Sequence, residues 1–340
     1  MTPIHVLVST RVTAEQLERM RRIHPRLTIH GEPGGIAIMD ASEVDHKGID
    51  YPEERPDLDV AALLREAEVI VATRIPPYLG ERAPRLRWIQ FTSAGIDHLW
   101  KPFLDSGSVV VTSAKGIHGI PMAEFVLSCM LAFAKDLPRM TRQQREHRYE
   151  KFVVEELYEK TVVLVGIGEI GGAVARATRQ LGMHVIGVRR REGSAGLSAE
   201  FDEVLPIANL DKAVARADYV VASLPLTTKT ARLLDAAVFR AMKPTAVFVN
   251  VGRGKTVDEP ALVRALREGW IRGAALDVYE REPLPADSAL WEMSNVLISP
   301  HMGSDTARYM ERMTDILCDN LLRYAEGRPL RNVVDPVERY

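Results

Sequence analysis

At 340 residues the chain exceeds what one ordinary hydrophobic core fills, so two domains are expected. A hydrophobic share of 46%, a charged share of 26% and a formal net charge of -2 describe an ordinary globular chain and exclude a nucleic-acid partner held by bulk charge. The only cysteines, Cys129 and Cys318, belong to no Cys-x-x-Cys pair or His/Cys cluster, which argues against a disulfide framework and against a metal site.

The opening run, Met-Thr-Pro-Ile-His-Val-Leu-Val, enters a strand at once, without the basic segment, apolar core and cleavage site of a signal peptide. No window carries the roughly 20 uncharged apolar residues of a membrane span. A reducing, cytoplasmic setting without membrane contact is therefore expected. Ile4–Val8 reads as a buried strand, Thr13–Arg22 as a helix and Val69–Ala72 as a second strand, an alternation that predicts a small α/β domain. Gly31–Pro56, rich in Gly, Pro and acidic residues, reads as a surface excursion.

Leu86–Gln90 is again strand-like and runs into T-S-A-G-I-D-H-L, where small residues let backbone amides approach an anion or simply form a β-α turn. Pro121–Lys135 predicts a helix, with Met122, Phe125, Val126, Cys129, Met130 and Phe133 near helical spacing. Phe152–Lys160 leads from it to the next strand. Strands are then predicted at Val162–Val165, Val185–Val188, Tyr219–Ala222, Ala246–Val251, Gly273–Val278 and Asn295–Ile298, with helices between them. Continuous apolar strands of this kind suit a doubly wound parallel sheet. A last helix, about Asp305–Glu326, would return to the first domain. The expected division is 1–112 with 303–340 against 113–302, with crossings near Thr112–His118 and His301–Asp305.

The segment V-V-L-V-G-I-G-E-I-G-G places a glycine turn between a buried strand and a helix, the context that makes G-x-G-x-x-G a dinucleotide fingerprint. Gly166 permits the turn, Gly168 lets a pyrophosphate approach the backbone and Gly171 lets the helix pack closely, with Glu169 and Ile170 at the helix start. The next strand ends V-I-G-V-R-R-R. Arg189 stands where a carboxylate would otherwise meet the ribose hydroxyls, followed by Arg190 and Arg191. A carboxylate repels a 2′-phosphate and a guanidinium binds it, so NADP(H) is expected, with NAD possible.

Downstream, Arg253 lies in N-V-G-R-G-K-T-V-D-E, Glu282 in A-A-L-D-V-Y-E-R-E-P-L-P and His301 in I-S-P-H-M-G-S. Taken singly these are a solvated loop arginine, a turn and a structural histidine. Together, after a dinucleotide fingerprint, they match reduction of a 2-keto acid. That reaction needs a cation for the carboxylate and carbonyl oxygen, a proton donor for the developing alkoxide and an anion that keeps the donor protonated. Glu280 is the rival carboxylate.

Over most of the chain, most strongly from Lys115 to Gly303, these motifs resemble the D-isomer-specific 2-hydroxyacid dehydrogenase family. The resemblance implies a Rossmann cofactor domain inserted in a smaller flavodoxin-like α/β substrate domain. It implies that Arg253 binds and polarises the substrate, that His301 is the acid/base and that Glu282, directly before Pro283, is its partner. Main-chain N–H groups of Ala94 and Gly95 would reach the substrate carboxylate. Leu224, Pro225, Val251, Gly252 and Gly303 would border the cofactor, and Asp277 would accept from the nicotinamide carboxamide. The apolar helix would pack at a homodimer interface.

The activity implied is hydride transfer between NADP(H) and C2 of a small 2-keto acid, giving the D-2-hydroxy acid, as in glyoxylate, hydroxypyruvate and broader 2-ketoacid reductases. Formate dehydrogenases of this architecture carry glutamine as the histidine's partner, so Glu282 argues against them. No regulatory domain is expected after Tyr340. The acyl pocket would draw on Arg74–Leu79, with Leu99 and Trp100 either walling it or packing in the core. The alternative is a nucleotide-sensing corepressor of the same fold, disfavoured by the lack of a partner-binding extension.

Overall fold

The computed structural model describes residues 2–39, 52, 57–96, 99, 101–190 and 198–336. Asp97, His98, Trp100, Arg191 and most of the second half of the Gly31–Pro56 stretch lie outside them. The chain divides into two compact units, Met1–Ile117 with Thr306–Tyr340, and His118–Asp305. Among the described residues no helix is long and apolar enough to cross a membrane, and no group of three or more His, Cys, Asp or Glu side chains could hold a metal ion.

In the first unit, β1 (Ile4–Ser9), β2 (Leu27–His30), β3 (Val69–Ala72), β4 (Trp88–Phe91) and β5 (Val110–Thr112) form a parallel sheet. Its order, β2-β1-β3-β4-β5, is that of flavodoxin-like sheets. Two of these strands, β2 and β5, were not expected; L-T-I-H and V-V-T are too short to carry a readable period. Both faces of the sheet are covered. Val6, Val8, Val69, Val71 and Trp88 pack with Met313, Leu317 and Leu321 of the returning helix Tyr309–Ala325. Leu7, Ile70, Ile89 and Phe91 pack with Leu64, Leu79, Ile36 and Ile38 on the other face.

For its first part, Gly31–Met39, the burial of Ile36, Ile38 and Met39 corrects the reading of Gly31–Pro56 as a surface excursion. Gly35, at φ +83°, lies so close to β1 that a Cβ would come within 2.3 Å of the Thr10 carbonyl oxygen, and Ile36 N–H donates to Val8 O at 3.2 Å. Residues 35–39 therefore lie over the sheet. A buried polar thread also ties the returning helix to the sheet. Trp88 Nε1 donates to Thr112 Oγ1 (2.7 Å), Thr112 Oγ1 to Gln90 Oε1 (2.8 Å), and Asn320 Nδ2 to the same Gln90 oxygen (3.1 Å). Buried polar groups satisfied in this way fix one register, because any slip leaves one of them unpaired.

In the second unit, β6 (Thr161–Val165), β7 (His184–Arg189), β8 (Glu203–Pro206), β9 (Tyr219–Ala222), β10 (Val247–Asn250), β11 (Gly273–Leu276) and β12 (Val296–Ile298) are all parallel. The order β12-β11-β10-β9-β6-β7-β8 reverses direction between β6 and β9. This is the Rossmann arrangement, whose ligand crevice lies beyond the carboxyl ends of the strands at that reversal. Edge strand β8, E-V-L-P, was not expected, since one charge and one proline in four residues hide its period. The helix Gly119–Ala134 buries Met122, Val126, Cys129 and Met130 in a core shared with the helix Glu169–Gln180, and leaves Ile120 and Leu131 exposed.

At the edge of the first sheet His5 Nδ1 and His30 Nε2 share a hydrogen bond of 2.9 Å, with Glu66 Oε2 3.8 Å from His5. Burial, and then the neighbouring His5, lower the His30 pKa against the pull of Glu66. A base lowered by folding favours the neutral native state, so its stability is complete above the ordinary histidine pKa and is lost as pH falls through that value towards the folded one. Thermal denaturation between about pH 8 and about pH 5 should therefore show a smaller loss of Tm for His30→Gln than for the unmodified chain. Parallel losses in the two proteins would remove His30 as a source of acid sensitivity.

Candidate active site

Beyond β6 the chain turns at Gly166, with φ +101°, and enters the helix Glu169–Gln180. Gly171 is required by close approach, since a Cβ there would meet the Gly166 carbonyl oxygen at 2.2 Å. Gly168 differs: nothing lies within 4 Å of where its Cβ would stand. Packing does not demand a glycine at 168, and the open space lies at a helix N-terminus that no side chain caps. That combination fits a phosphate-bearing ligand.

The other cofactor candidates border the same strand ends. Ser223 Oγ donates to Gly166 O at 3.0 Å, and a Cβ on Gly252 would come within 2.7 Å of the Leu224 backbone, so the loops after β6, β9 and β10 meet. Pro225 is exposed and Val251 is core. Arg189 is the last residue of β7 and Arg190 beside it is exposed. The Glu169 carboxylate accepts the Gly119 N–H at 2.8 Å, capping the preceding helix, and Ile170 packs on the core. Both positions therefore have a part in the packing of the fold as well as a place at the start of the helix.

Arg253 follows β10 in a loop braced by Asn250. The Asn250 side chain is buried, accepts the Gly252 N–H at 3.1 Å and reaches Arg253 O at 3.5 Å. Thr256 Oγ1 donates to Arg253 O at 2.6 Å, and Arg253 Nη1 donates to Gly252 O at 3.0 Å. Gly254 is pressed against the Tyr279 carbonyl, where a Cβ would stand 1.8 Å from the oxygen.

His301 Nδ1 donates to Glu282 Oε2 at 2.7 Å, and Glu282 Oε1 accepts the Tyr279 N–H at 3.0 Å. Glu280 instead pairs with Arg232 at 3.0 Å. The hydrogen bond to Glu282 raises the His301 pKa against burial, and Arg253 opposes the rise. Burial pushes the Glu282 carboxyl up, but the bonds from His301 and the Tyr279 N–H, with the charge of Arg253, bring it below its ordinary value. Both shifts favour the imidazolium–carboxylate form of the pair, and the hydrogen bond commits His301 Nδ1 to Glu282.

Asp277 holds the histidine loop. Its Oδ1 accepts from Ser299 Oγ (2.7 Å), Met302 N–H (2.9 Å) and Gly303 N–H (3.1 Å), while among the described residues Oδ2 receives only a 3.2 Å contact from Gly303 N–H. His301 sits at φ +56°, a left-handed conformation that a non-glycine residue keeps only when its surroundings fix it. Asn250, Gly254, Tyr279 and Ser299 were not singled out from sequence, because their roles depend on which loops become neighbours. In the first unit, the Ala94 and Gly95 amides donate to no acceptor among the described residues.

A family model described as D-isomer specific 2-hydroxyacid dehydrogenase, NAD binding domain, matches residues 127–303. The glyoxylate reductase of Thermococcus kodakarensis is 33% identical over 294 residues, covering 82% of this chain and 86% of that protein. A D-isomer specific 2-hydroxyacid dehydrogenase family protein from Aeromonas salmonicida superposes with a TM-score of 0.80 at 30% identity, over 98% of this chain and 100% of that one. An NADPH-dependent glyoxylate/hydroxypyruvate reductase from Sinorhizobium meliloti, solved with NADP and sulfate, superposes with a TM-score of 0.78 at 26% identity, over 100% of both chains.

The Gly254 contact tests the bracing of the Arg253 loop. Because the obstruction is backbone, Gly254→Ala should cost about 1–3 kcal/mol or more in denaturant unfolding. An unchanged unfolding midpoint would show that the loop does not need this approach.

Proposed function

The chain belongs to the D-isomer specific 2-hydroxyacid dehydrogenase family, and we propose that within it the protein is an NADP(H)-linked reductase of small 2-keto acids, forming the D-2-hydroxy acid. The observation that carries this reading is the His301–Glu282 pair, 2.7 Å apart and within the field of Arg253, in the unit that also holds the glycine turn. Reduction of a 2-keto group beside a carboxylate requires a charged acid and a separate cation, and these residues provide both.

When bound, the nicotinamide supplies the hydride to C2. Gly166, Gly168 and the helix N-terminus would hold its pyrophosphate, Leu224, Gly252 and Gly303 would line the site, and Asp277 Oδ2, lightly engaged, would accept from the carboxamide. Arg253 binds the substrate carboxylate and polarises the carbonyl. His301 protonates the nascent alkoxide through Nε2, since Nδ1 is committed to Glu282. Exposed Ile120 and Leu131 on the helix Gly119–Ala134, with exposed Leu137 and Met140 on the helix Leu137–Arg145 that follows it, support a homodimer with these two helices at its interface.

NADP(H) preference rests on Arg189, and the NADP-bound reductase from Sinorhizobium meliloti is consistent with it. A charge-assisted hydrogen bond to the 2′-phosphate is worth about 1.5–3 kcal/mol, so Arg189→Asp should shift the NADPH:NADH ratio of kcat/KM by roughly tenfold or more. Equal efficiency with both cofactors in the unmodified enzyme would overturn the preference.

The acid/base assignment predicts a pH profile. Glu282 raises the His301 pKa, so the imidazolium required for reduction survives to higher pH, and activity falls on the alkaline side. In Glu282→Gln the alkaline limb of kcat/KM for glyoxylate reduction should move to lower pH. A limb that stays in place, or moves up, would separate Glu282 from the proton transfer.

A further inference from the structure

Just beyond β11 the chain reads L-D-V-Y-E-R-E, and its tyrosine belongs to the core of the second unit, with Tyr279 only 5% exposed. A buried phenol needs partners for its hydroxyl. The Tyr279 oxygen lies 2.8 Å from Leu276 O, 2.8 Å from Ser299 O and 3.1 Å from Ser299 N. A phenol has a single proton, so it satisfies one of these carbonyls at a time. Leu276 O already receives the Ser299 N–H at 2.9 Å, whereas Ser299 O has no other donor among the described residues. The proton therefore belongs on Ser299 O, and the phenol oxygen shares the N–H of the same residue.

Tyr279 thus grips both backbone groups of Ser299, two residues before His301, while its own N–H holds Glu282 Oε1 at 3.0 Å. One residue fixes both sides of the 2.7 Å bond from His301 Nδ1 to Glu282 Oε2. The His301 backbone is left-handed, at φ +56°, and keeps that conformation only while its surroundings hold it. Burial pushes the Tyr279 phenol above its ordinary pKa, so it keeps its proton through the working range of the site.

We propose that Tyr279 is a positioning residue for proton transfer, its hydroxyl holding the loop that carries His301 at the distance from Glu282 that their hydrogen bond needs. This rests on the reading of His301 as the acid. Phenylalanine at this position keeps the ring in the core but leaves the Ser299 carbonyl without its donor. Asp277 still holds the Ser299 hydroxyl and the amides beyond His301, so the loop shifts without unfolding. The hydrogen bond to Glu282 is the largest influence on the His301 ring, with the charges of Glu282 and Asp277 beside it, and burial and Arg253 against it. On the same loop, burial raises the Asp305 carboxyl and His301 lowers it. Among the described residues only Glu282 bonds to the ring, so loosening that bond lets His301 lose its proton at lower pH.

The test follows the His301 ring by NMR in the full chain labelled with isotopic histidine, its signal identified by its loss in His301→Gln. In Tyr279→Phe the ring should titrate about half a pH unit or more below its position in the unmodified chain, in the direction of Glu282→Gln. Phe239→Leu, a change in the same core on the helix Ala236–Ala241, should lower the Tm and leave the titration in place. An unmoved titration in Tyr279→Phe, or an equal shift in Phe239→Leu, overturns the proposal. With glyoxylate and NADPH, the alkaline limb of kcat/KM should move down together with the titration. The titration needs no turnover, so failure to reduce any 2-keto acid would overturn the reductase reading, and the NMR comparison would still decide for or against Tyr279.

Discussion

One carboxylate organises the candidate site. Asp277, at the end of β11, gathers the Ser299 hydroxyl and the Met302 and Gly303 amides, and so closes the loop after β12 around His301. A left-handed histidine backbone is unfavourable in isolation, and two amides directed at one buried carboxylate oxygen offset it. The Tyr279 hydroxyl lies 2.8 Å from both Leu276 O and Ser299 O, joining the same two loops from the other side. Tyr279 also offers its N–H to Glu282, so the residue that fixes the loop spacing orients the carboxylate facing the histidine.

The arrangement follows from parallel strand order. Because β10, β11 and β12 are neighbours that all run in the same direction, the residues just beyond each of them emerge on one edge. Arg253, Glu282 and His301 come from three separate loops, yet each is anchored within a few residues of a strand end. Gly254 is the contact that makes this possible, for any larger residue would separate the Arg253 loop from the Tyr279 carbonyl.

What could be read from sequence was whatever had a long period or a strict backbone demand. The strand Val162–Val165 and the glycines after it were legible because four buried residues in a row and the turn chemistry agree. The strands β2, β5 and β8 were not, since L-T-I-H, V-V-T and E-V-L-P mix polar and apolar residues over a short span, whereas the equally short β3 and β9 are almost wholly apolar. Ile36, Ile38 and Met39 were hidden by the glycines and acids around them, although their burial needs only a chain segment lying across β1. The choice of Glu282 over Glu280 agrees with the geometry, which gives Glu280 to Arg232. Asp277 was legible as a polar residue at a strand end, but its bracing of the His301 loop was not, because that needs β12 beside β11. Glu169 has a role that its place in the fingerprint did not suggest, since its carboxylate accepts the Gly119 N–H at the start of the preceding helix.

Arg253 acts on the acid/base pair with opposite effects on its two members. Its positive charge helps hold Glu282 ionised and works against the charged form of His301. On the proposed reading, the anion that docks on Arg253 cancels part of that field. The opposition to the imidazolium then weakens when substrate is in place, while the Glu282 hydrogen bond that favours it is unchanged. Substrate binding and proton loading of His301 are thereby coupled with the same sign: the anion raises the histidine's affinity for the proton, and by linkage the proton raises the site's affinity for the anion. A neutral ligand of the same shape would bind without that coupling, so the charge of the substrate, as well as its fit, prepares the acid it requires.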